Sequence, residues 1–380
     1  MKTALLSGLV AAALLGAGSL HAQADSVFAV NSGGATLLRL NSDASFVVRG
    51  VAGTGSVPAT GLGERMIWFP GRYAFRAGRL VSTLEDGNGT TYWDEGNIGE
   101  GSAAFGLNTR ARGANSFAAG RTSQANGSNT LAFNGTASGS GAVAIGNGAQ
   151  ATGDDAIALG PSSIAGGLVS TVIGPSIANG NFAIAIGLQN SASGQFSVAI
   201  GKNARTANRQ GSVVLGDGCA GFSSDSVYPT ANNQFVARGC GGIRFFTSQN
   251  LSSGVEVAAG GGSWSSISDR NRKENFLSIE SESVLARLRA VPVTTWNYKT
   301  QDRSIRHIGP MAQDLYAAFG VGESNLLINT VDIDGINLAA VKELDERSVA
   351  QQARITELEA RNRELEARLA RLEALLSAQR

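Results

Sequence analysis

The stretch Val143-Ala144-Ile145-Gly146 and its repeat Ile157-Ala158-Leu159-Gly160 decide the fold of this chain. Each is a tetrad of apolar residue, alanine, apolar residue and glycine. With small variations the tetrad occurs nine times, and successive copies lie 12 to 15 residues apart. The other copies are Ala103–Gly106, Phe117–Gly120, Leu131–Asn134, Thr171–Gly174, Ile184–Gly187, Val198–Gly201 and Val213–Gly216. A period this regular indicates a repeat architecture with one structural unit per repeat.

The alternation within each tetrad predicts a short β-strand with alanine on one face and the larger residues on the other. The closing glycine permits a turn that needs positive φ, and a polar stretch then returns the chain to the next tetrad. The repeats therefore predict a β-solenoid with coils of about 14 residues. The alternative is a flexible linker, but linkers do not place Ile, Leu and Val at a fixed phase. One coil has too few large apolar residues to be stable alone, so we expect coils to stack and several solenoids to pack side by side.

The overall composition excludes several functional classes. The chain has 380 residues, 50 of them glycine, and a net charge of +1, so no overall field attracts nucleic acid or acidic lipid. Of the two histidines, His21 lies in a segment that we expect to be removed, which leaves His307. Histidine-rich zinc sites are thereby excluded, and no phosphate-binding loop or dinucleotide fingerprint occurs. We expect no metal, no cofactor and no nucleic-acid partner.

Residues 1–24 have the features of a secretory signal. Met1-Lys2 precedes an apolar run, and Ala22-Gln23-Ala24 provides an A-x-A end. A retained membrane helix is the alternative, but glycines interrupt the run and no basic stop follows. We therefore expect a secreted or cell-surface protein with no membrane span after signal removal. In that oxidising compartment Cys219 and Cys240 are expected to form a disulfide.

Residues 25–100 alternate apolar and polar residues between turn signals, which predicts short strands. An aromatic cluster occupies residues 65–70 and continues with Tyr73 and Phe75. Such a cluster can contact a carbohydrate or protein, because aromatic side chains provide rigid contact area. It can also cap the open end of the solenoid, which is the interpretation that we favour.

The last segment, residues 341–380, has the heptad pattern of a coiled coil. Arginines occupy the g positions and glutamates the following e positions, as in Arg354 and Glu359, which favours parallel association. Asn362 at an a position fixes register but does not decide between two strands and three. The a and d positions are Val341, Leu344, Ser348, Gln351, Ile355, Leu358, Asn362, Leu365, Leu369, Leu372 and Leu376.

Between the solenoid (residues 101–218) and the coiled coil we expect a connector at 219–262 and a globular α+β domain at 263–340. Ser283–Leu288 looks helical, and Val293–Tyr298 looks extended. Asp332, Asp334 and Gly335 resemble a fragment of a calcium loop, but further ligands are absent and a turn is predicted.

The tetrads resemble the head repeats of trimeric autotransporter adhesins of the YadA type. This resemblance implies that the mainly β part of the chain is a trimeric, left-handed β-roll. It also implies an adhesive role at a surface, with a host or environmental receptor or glycan as partner.

The α+β domain resembles the endosialidase-type intramolecular chaperone of phage tail spikes and tail fibres. The resemblance rests on Ser268–Asn275, Trp296-Asn297-Tyr298, His307–Asp314 and Val331–Gly335, which occur in the order of that family. It implies a C-terminal part that trimerises the chain and then removes itself as a serine peptidase, with no other enzymatic activity.

In that family a serine and a lysine five residues later form the catalytic pair, which corresponds here to Ser268 and Lys273. On an α-helix two such side chains lie about 140° apart. Ser268 must therefore lie in a turn before any helix, or the pair is completed across the trimer. The motif alone also fits a helix start on a solvated face. His307 is expected to be structural.

The predicted function is thus a secreted homotrimeric adhesin that cleaves itself next to Ser268. One alternative is a phage-like spike module that binds or degrades surface glycans. Glycoside hydrolysis needs two carboxylates, and the repeats contain only Asp154 and Asp155 before Asp217. The other alternative is a purely structural surface protein.

Overall fold

The computed structural model describes residues 26–32, 35–83, 85, 87–219 and 225–378, arranged in two compact units that divide after Gly241. The predicted export signal at residues 1–24 lies outside the described residues. Within the described residues no helix combines the length and apolar character needed to cross a bilayer. The division between the units falls inside the expected connector at 219–262.

The first unit is dominated by the repeats. Its strands before the repeats are β1 (Ser26–Ser32), β2 (Ala35–Asn41), β3 (Phe46–Val48), β4 (Gly63–Phe69), β5 (Ala74–Leu80), β6 (Ser82–Thr83) and β7 (Gly87–Asn88). The strands of the repeats and of the coil that follows are β8 (Ala103–Leu107), β9 (Arg110–Ala111), β10 (Phe117–Arg121), β11 (Gln124–Ala125), β12 (Leu131–Ala137), β13 (Val143–Ala151), β14 (Ile157–Leu159), β15 (Ile164–Ala165), β16 (Thr171–Ile173), β17 (Ile177–Ala178), β18 (Ile184–Leu188), β19 (Ser191–Ala192), β20 (Val198–Lys202), β21 (Val213–Gly216) and β22 (Phe235–Ala237).

The tetrads form a parallel β-solenoid, as the sequence predicts, and we call residues 103–216 the roll. Its coils stack in register, so that Ala144 pairs with Ala132 on one side and with Ala158 on the other. The tetrad alanines point into the narrow interior and are fully buried. The larger tetrad side chains point outward and remain partly exposed, with Phe133 at 46% and Ile173 at 44%. A single roll therefore has an alanine core and leaves its bulkiest apolar residues accessible.

A hairpin covers the first coil of the roll. Its strands β4 and β5 are antiparallel, and β5 adds to β8 in parallel, with Phe75 opposite Ala103. One face of the hairpin, with Ile67, Phe69, Ala74 and Leu80, belongs to a buried cluster that also contains Trp93 and Ile98 from the segment before β8. Met66, Trp68 and Tyr73, from the same aromatic segment, are exposed. The hairpin is thus placed as the capping interpretation expects, with part of the aromatic cluster left at the surface.

Arg76 on β5 fills the position that alanine holds in the next coil. Its side chain is fully buried, and burial lowers its pKa to about 10. The guanidinium donates to the carbonyl oxygens of Ser102 and Ala111 at 3.0 and 2.9 Å and to Ser102 Oγ at 2.8 Å. The end of the alanine core is therefore closed by a hydrogen-bonded cation.

The second unit combines small sheets with helices. Its elements are β23 (Ile243–Phe246), β24 (Gly254–Val257), β25 (Ser265–Ser266), α1 (Ser281–Ala290), β26 (Thr294–Trp296), β27 (His307–Gly309), α2 (Ala312–Phe319) and α3 (Thr330–Ala378). Strands β23, β24 and β25 form an antiparallel sheet, and β26 and β27 form a hairpin. The helices share a core of Val284, Val291, Leu315, Ile336 and Ala340. The predicted helix near Ser283 and the predicted extended segment near Thr295 are both present.

The turn predicted at Asp332, Asp334 and Gly335 is wrong, because these residues lie in the first turns of α3. Asn329 precedes the helix, and its Oδ1 accepts the backbone N–H of Val331 at 2.9 Å. Acidic residues are also favourable in a first helical turn. Burial of Ile336 and Ala340 anchors this turn against the core and outweighs the glycine.

Helix α3 continues through the predicted heptads to Ala378. The predicted seam residues are exposed in the single chain, with Ile355 at 47% and Leu365 at 51%. Three g-position arginines pair within their own helix: Arg347 with Glu343 at 3.2 Å, Arg354 with Glu357 at 2.6 Å and Arg368 with Glu364 at 2.5 Å. The helix therefore presents an apolar stripe along its length.

Candidate active site

Ser268 lies two residues after the end of the edge strand β25. This strand pairs with β24, with Ser266 opposite Val255, and the backbone N–H of Ile267 extends the pairing by donating to Gly254 O at 3.1 Å. The bond between Ile267 and Ser268 therefore lies where the chain leaves the sheet.

A tight turn then brings Lys273 back to Ser268. Asp269 begins the turn in an extended conformation, and its Oδ1 accepts the backbone N–H of Asn271 at 2.9 Å. A short 3-10 helix, Arg270–Arg272, follows, and Lys273 is extended again with φ −125° and ψ 153°. Lys273 Nζ donates to Ser268 Oγ at 2.6 Å. Ser268 lies before the 3-10 helix and Lys273 after it. The separation of about 140° that two such side chains would have on one α-helix therefore does not apply.

This arrangement has the elements of nucleophilic catalysis. A serine hydroxyl becomes a nucleophile when an adjacent base takes its proton, and lysine can do so in its neutral form. Burial favours that form, whereas both side chains are exposed in the single chain.

Ser268 also lines a cavity of about 460 Å³ in the second unit. One wall comes from the turn, with Asp269 and Arg272, and the other comes from the β23–β24 hairpin. On that hairpin Arg244 Nε lies 2.9 Å from Glu256 Oε2. The remaining lining residues are Phe246, Leu251 and Ile267.

His307 lies on β27 among aromatic rings. Its Nε2 is 2.9 Å from Gln301 Oε1, and its ring centroid is 4.8 Å from that of Trp296. These contacts suit the structural role expected for this histidine.

Cys219 and Cys240 are joined by a disulfide in the first unit, with their Cα atoms 6.4 Å apart. Asp217 braces the same segment: its Oδ2 accepts the backbone N–H of Cys240 at 2.6 Å, and its Oδ1 accepts Arg238 Nε at 2.7 Å. These hydrogen bonds lower the pKa of Asp217, and the bond from the backbone of Cys240 has the largest effect.

Two features of the sites were missed by sequence reasoning. The Asp217–Arg238 pair spans 21 residues, and no spacing rule signals it. The cavity beside Ser268 uses a hairpin from the segment that the sequence presents only as a connector.

Comparison with known families agrees with this geometry. Residues 98–123, 111–133, 137–163 and 178–204 match the YadA head domain repeat. Residues 268–321, which begin at the candidate nucleophile, match the family described as chaperone of endosialidase. No curated protein gives a significant match to the chain. The chain thus joins YadA head repeats, wound as a β-solenoid, to a chaperone-of-endosialidase segment that begins at Ser268.

Proposed function

We propose that this protein is a secreted or cell-surface homotrimeric fibre of the adhesin type that cleaves itself once, between Ile267 and Ser268. The observation that carries the proposal is the 2.6 Å contact between Lys273 Nζ and Ser268 Oγ, in a turn that starts where an edge strand ends. The match to the chaperone of endosialidase begins at the same serine.

The proposed cleavage has two steps: transfer of Ile267 to the Ser268 hydroxyl as an ester, and hydrolysis of that ester. Lys273 takes the hydroxyl proton of Ser268, and Oγ attacks the carbonyl carbon of Ile267. The C–N bond breaks, the nitrogen gains a proton and becomes the amine of Ser268, and Ile267 is now held as an ester on Oγ. Water then hydrolyses the ester, which frees the Ile267 carboxylate and restores the hydroxyl.

Association into a trimer is supported by two exposed apolar stripes. One consists of the outward tetrad residues of the roll, and the other is the heptad seam of α3. In a parallel assembly Arg354 and Arg361 of one helix reach Glu359 and Glu366 of the next. A single chain leaves the apolar surface of both stripes in water. Removal of that surface from water on association would stabilise the trimer.

The C-terminal part is proposed to trimerise first and to guide winding of the roll. Pairing between distant strands is slow, and its intermediates expose strand edges. A helical seam brings three chains together locally before that pairing begins.

Ser268→Ala tests the proposed cleavage, with Ser266→Ala as the matched control because Ser266 is an exposed serine on β25. Intact mass and the N-terminal sequence of the small fragment are measured after purification. The control is expected to yield fragments 25–267 and 268–380, whereas Ser268→Ala and Lys273→Ala stay whole and still associate. Cleavage of Ser268→Ala with an unchanged new N-terminus would show that an outside protease cuts the chain.

The adhesive role rests on the YadA head repeats alone. Labelled, purified fibre is expected to bind host or environmental surfaces or a glycan array through the roll. Saturable binding that antibodies to the roll block supports adhesion, and absence of binding to all of these surfaces contradicts it.

A further inference from the structure

We propose that Arg272 is a positioning residue for self-cleavage. Its guanidinium ties the turn that carries Ser268 and Lys273 to the hairpin that holds the bond to be cut. This inference rests on the proposed function, because it names the residue that aligns the nucleophile with its target.

Arg272 contacts both the turn and the hairpin. Its Nη1 donates to the carbonyl oxygen of Leu251 at 2.7 Å, across 21 residues of sequence. Its Nε lies 3.7 Å from Asp269 Oδ2, within the turn itself. A single side chain therefore links the nucleophile segment to the loop between β23 and β24.

The acceptor on the hairpin is itself held in place. Leu251 has a left-handed backbone, with φ 56°, and its N–H donates to Ser248 O at 3.1 Å. Ser248 Oγ accepts the backbone N–H of Ser252 at 2.8 Å and that of Ser253 at 3.0 Å. Arg272 thus reaches a carbonyl whose position is set by a hydrogen-bonded loop and not by a free strand end.

The nucleophile lies between two attachments to the same hairpin. Upstream, Ile267 N–H is bonded to Gly254 O at 3.1 Å, and downstream, Arg272 is bonded to Leu251. The upstream bond holds the carbonyl that is to be attacked. The downstream bond holds the turn that presents the hydroxyl and the lysine. Alignment of reacting groups to within about 1 Å is worth up to roughly a hundredfold in rate, so loss of one attachment is expected to slow the reaction.

Arg270 provides the matched control. It is a second arginine in the same 3-10 helix, but its guanidinium lies over the Phe276 ring, 5.1 Å from the centroid. Arg270→Ala therefore removes the same charge from the same turn and leaves the Leu251 bond in place.

To test this inference, the full chain is made by cell-free synthesis, and both the extent of cleavage and the fraction of trimer are measured over time. Arg272→Ala is expected to slow cleavage at least about tenfold at an unchanged trimer fraction, whereas Arg270→Ala stays within about twofold. Arg272→Lys, which can make one hydrogen bond but lacks the planar fork, is expected to fall between them. Added guanidinium ion is expected to restore cleavage in Arg272→Ala and not in Ser268→Ala.

Two results overturn this inference: wild-type rates in Arg272→Ala, or a loss that guanidinium ion does not restore. Because Ser268→Ala is measured alongside, the two ideas fail separately. Continued cleavage of Ser268→Ala contradicts the proposed function itself. A block in Ser268→Ala with a normal rate in Arg272→Ala contradicts only the role of Arg272.

Discussion

At the scale of single residues, the glycines that close the tetrads allow the coils to approach each other. Gly146 has φ 134°, and a Cβ at this position would lie 2.4 Å from the carbonyl oxygen of Gly160 in the next coil. Both the backbone conformation and the space therefore require glycine. The alternation of large and small residues in the tetrad predicts the strand, and this contact explains why the tetrad ends as it does.

Gly146→Ala is expected to destabilise the roll by about 2 kcal/mol or more, because backbone strain and overpacking act together. Gly96→Ala is the control, since open space surrounds Gly96. Thermal denaturation followed by circular dichroism measures both variants. Equal midpoints for the two would contradict the close approach of the coils.

Val169 occupies a turn position where two other coils have asparagine. Its φ is 53°, close to the 54° of Asn115 and the 58° of Asn129, which also stand two residues before their tetrads. A β-branched residue is strained in this region, and asparagine adopts it readily.

Val169→Asn is accordingly expected to stabilise the protein by about 1 kcal/mol, since the valine side chain is 42% exposed and little burial is lost. The rise is measured as an increased midpoint of thermal denaturation relative to wild type, with Val198→Asn on a tetrad strand as a destabilising control. A lower midpoint for Val169→Asn would contradict the strain argument.

At the scale of elements, the capping hairpin depends on Arg76. Arg76→Ala removes the guanidinium hydrogen bonds to Ser102 and Ala111, at a cost of about 1.5–3 kcal/mol for hydrogen bonds of a charged group. The two carbonyl oxygens keep their backbone donors, the N–H groups of Phe75 and Gly99. Arg79→Ala on the same strand removes an arginine that pairs with Glu64 at the surface, where ion pairs contribute little. Urea denaturation is expected to show a lower midpoint for Arg76→Ala alone, and a comparable shift for Arg79→Ala would refute the capping role.

The segment that carries the disulfide is expected to respond to acid through Asp217. Hydrogen bonds lower the pKa of this carboxyl in the folded state, so it stabilises the fold above its unfolded pKa of about 3.9. That contribution is lost as the pH falls through the lower folded value. Wild type should therefore be more stable than Asp217→Asn at pH 7, and the difference in melting midpoint should shrink towards pH 3. A difference that does not change with pH would contradict this role.

How far sequence predicts the elements depends on the range of the interactions that form them. The tetrads and the helix near Ser283 were predictable because their patterns are local. The start of α3 was not, because Gly335 and two aspartates indicate a turn until the packing of Ile336 and Ala340 is known. Adjacency of Ser268 and Lys273 followed only from a family resemblance, since spacing on a helix argues against it. The contact of Arg272 with Leu251 depends on a hairpin 21 residues away and has no sequence signal.

At the scale of the whole molecule, the two units pose the same physical problem. The roll buries alanines and exposes larger tetrad residues, and α3 exposes its heptad leucines. Each stripe runs along an elongated element, and that of α3 is interrupted by the polar residues Ser348, Gln351 and Asn362. The proposed association of identical chains would bury both stripes. In the proposed order of events the helical seam forms first, the roll second, and cleavage comes last.

The native mass of the uncleaved Ser268→Ala chain, measured by sedimentation equilibrium, tests this account most directly. Since this variant retains both the roll and the helix, the account predicts a single species of three chains that persists on dilution into the micromolar range. Leu365→Pro, which breaks the helix seam at about 3 kcal/mol or more, should lower that association. A folded monomer of Ser268→Ala, with the roll intact by circular dichroism, would contradict the central claim.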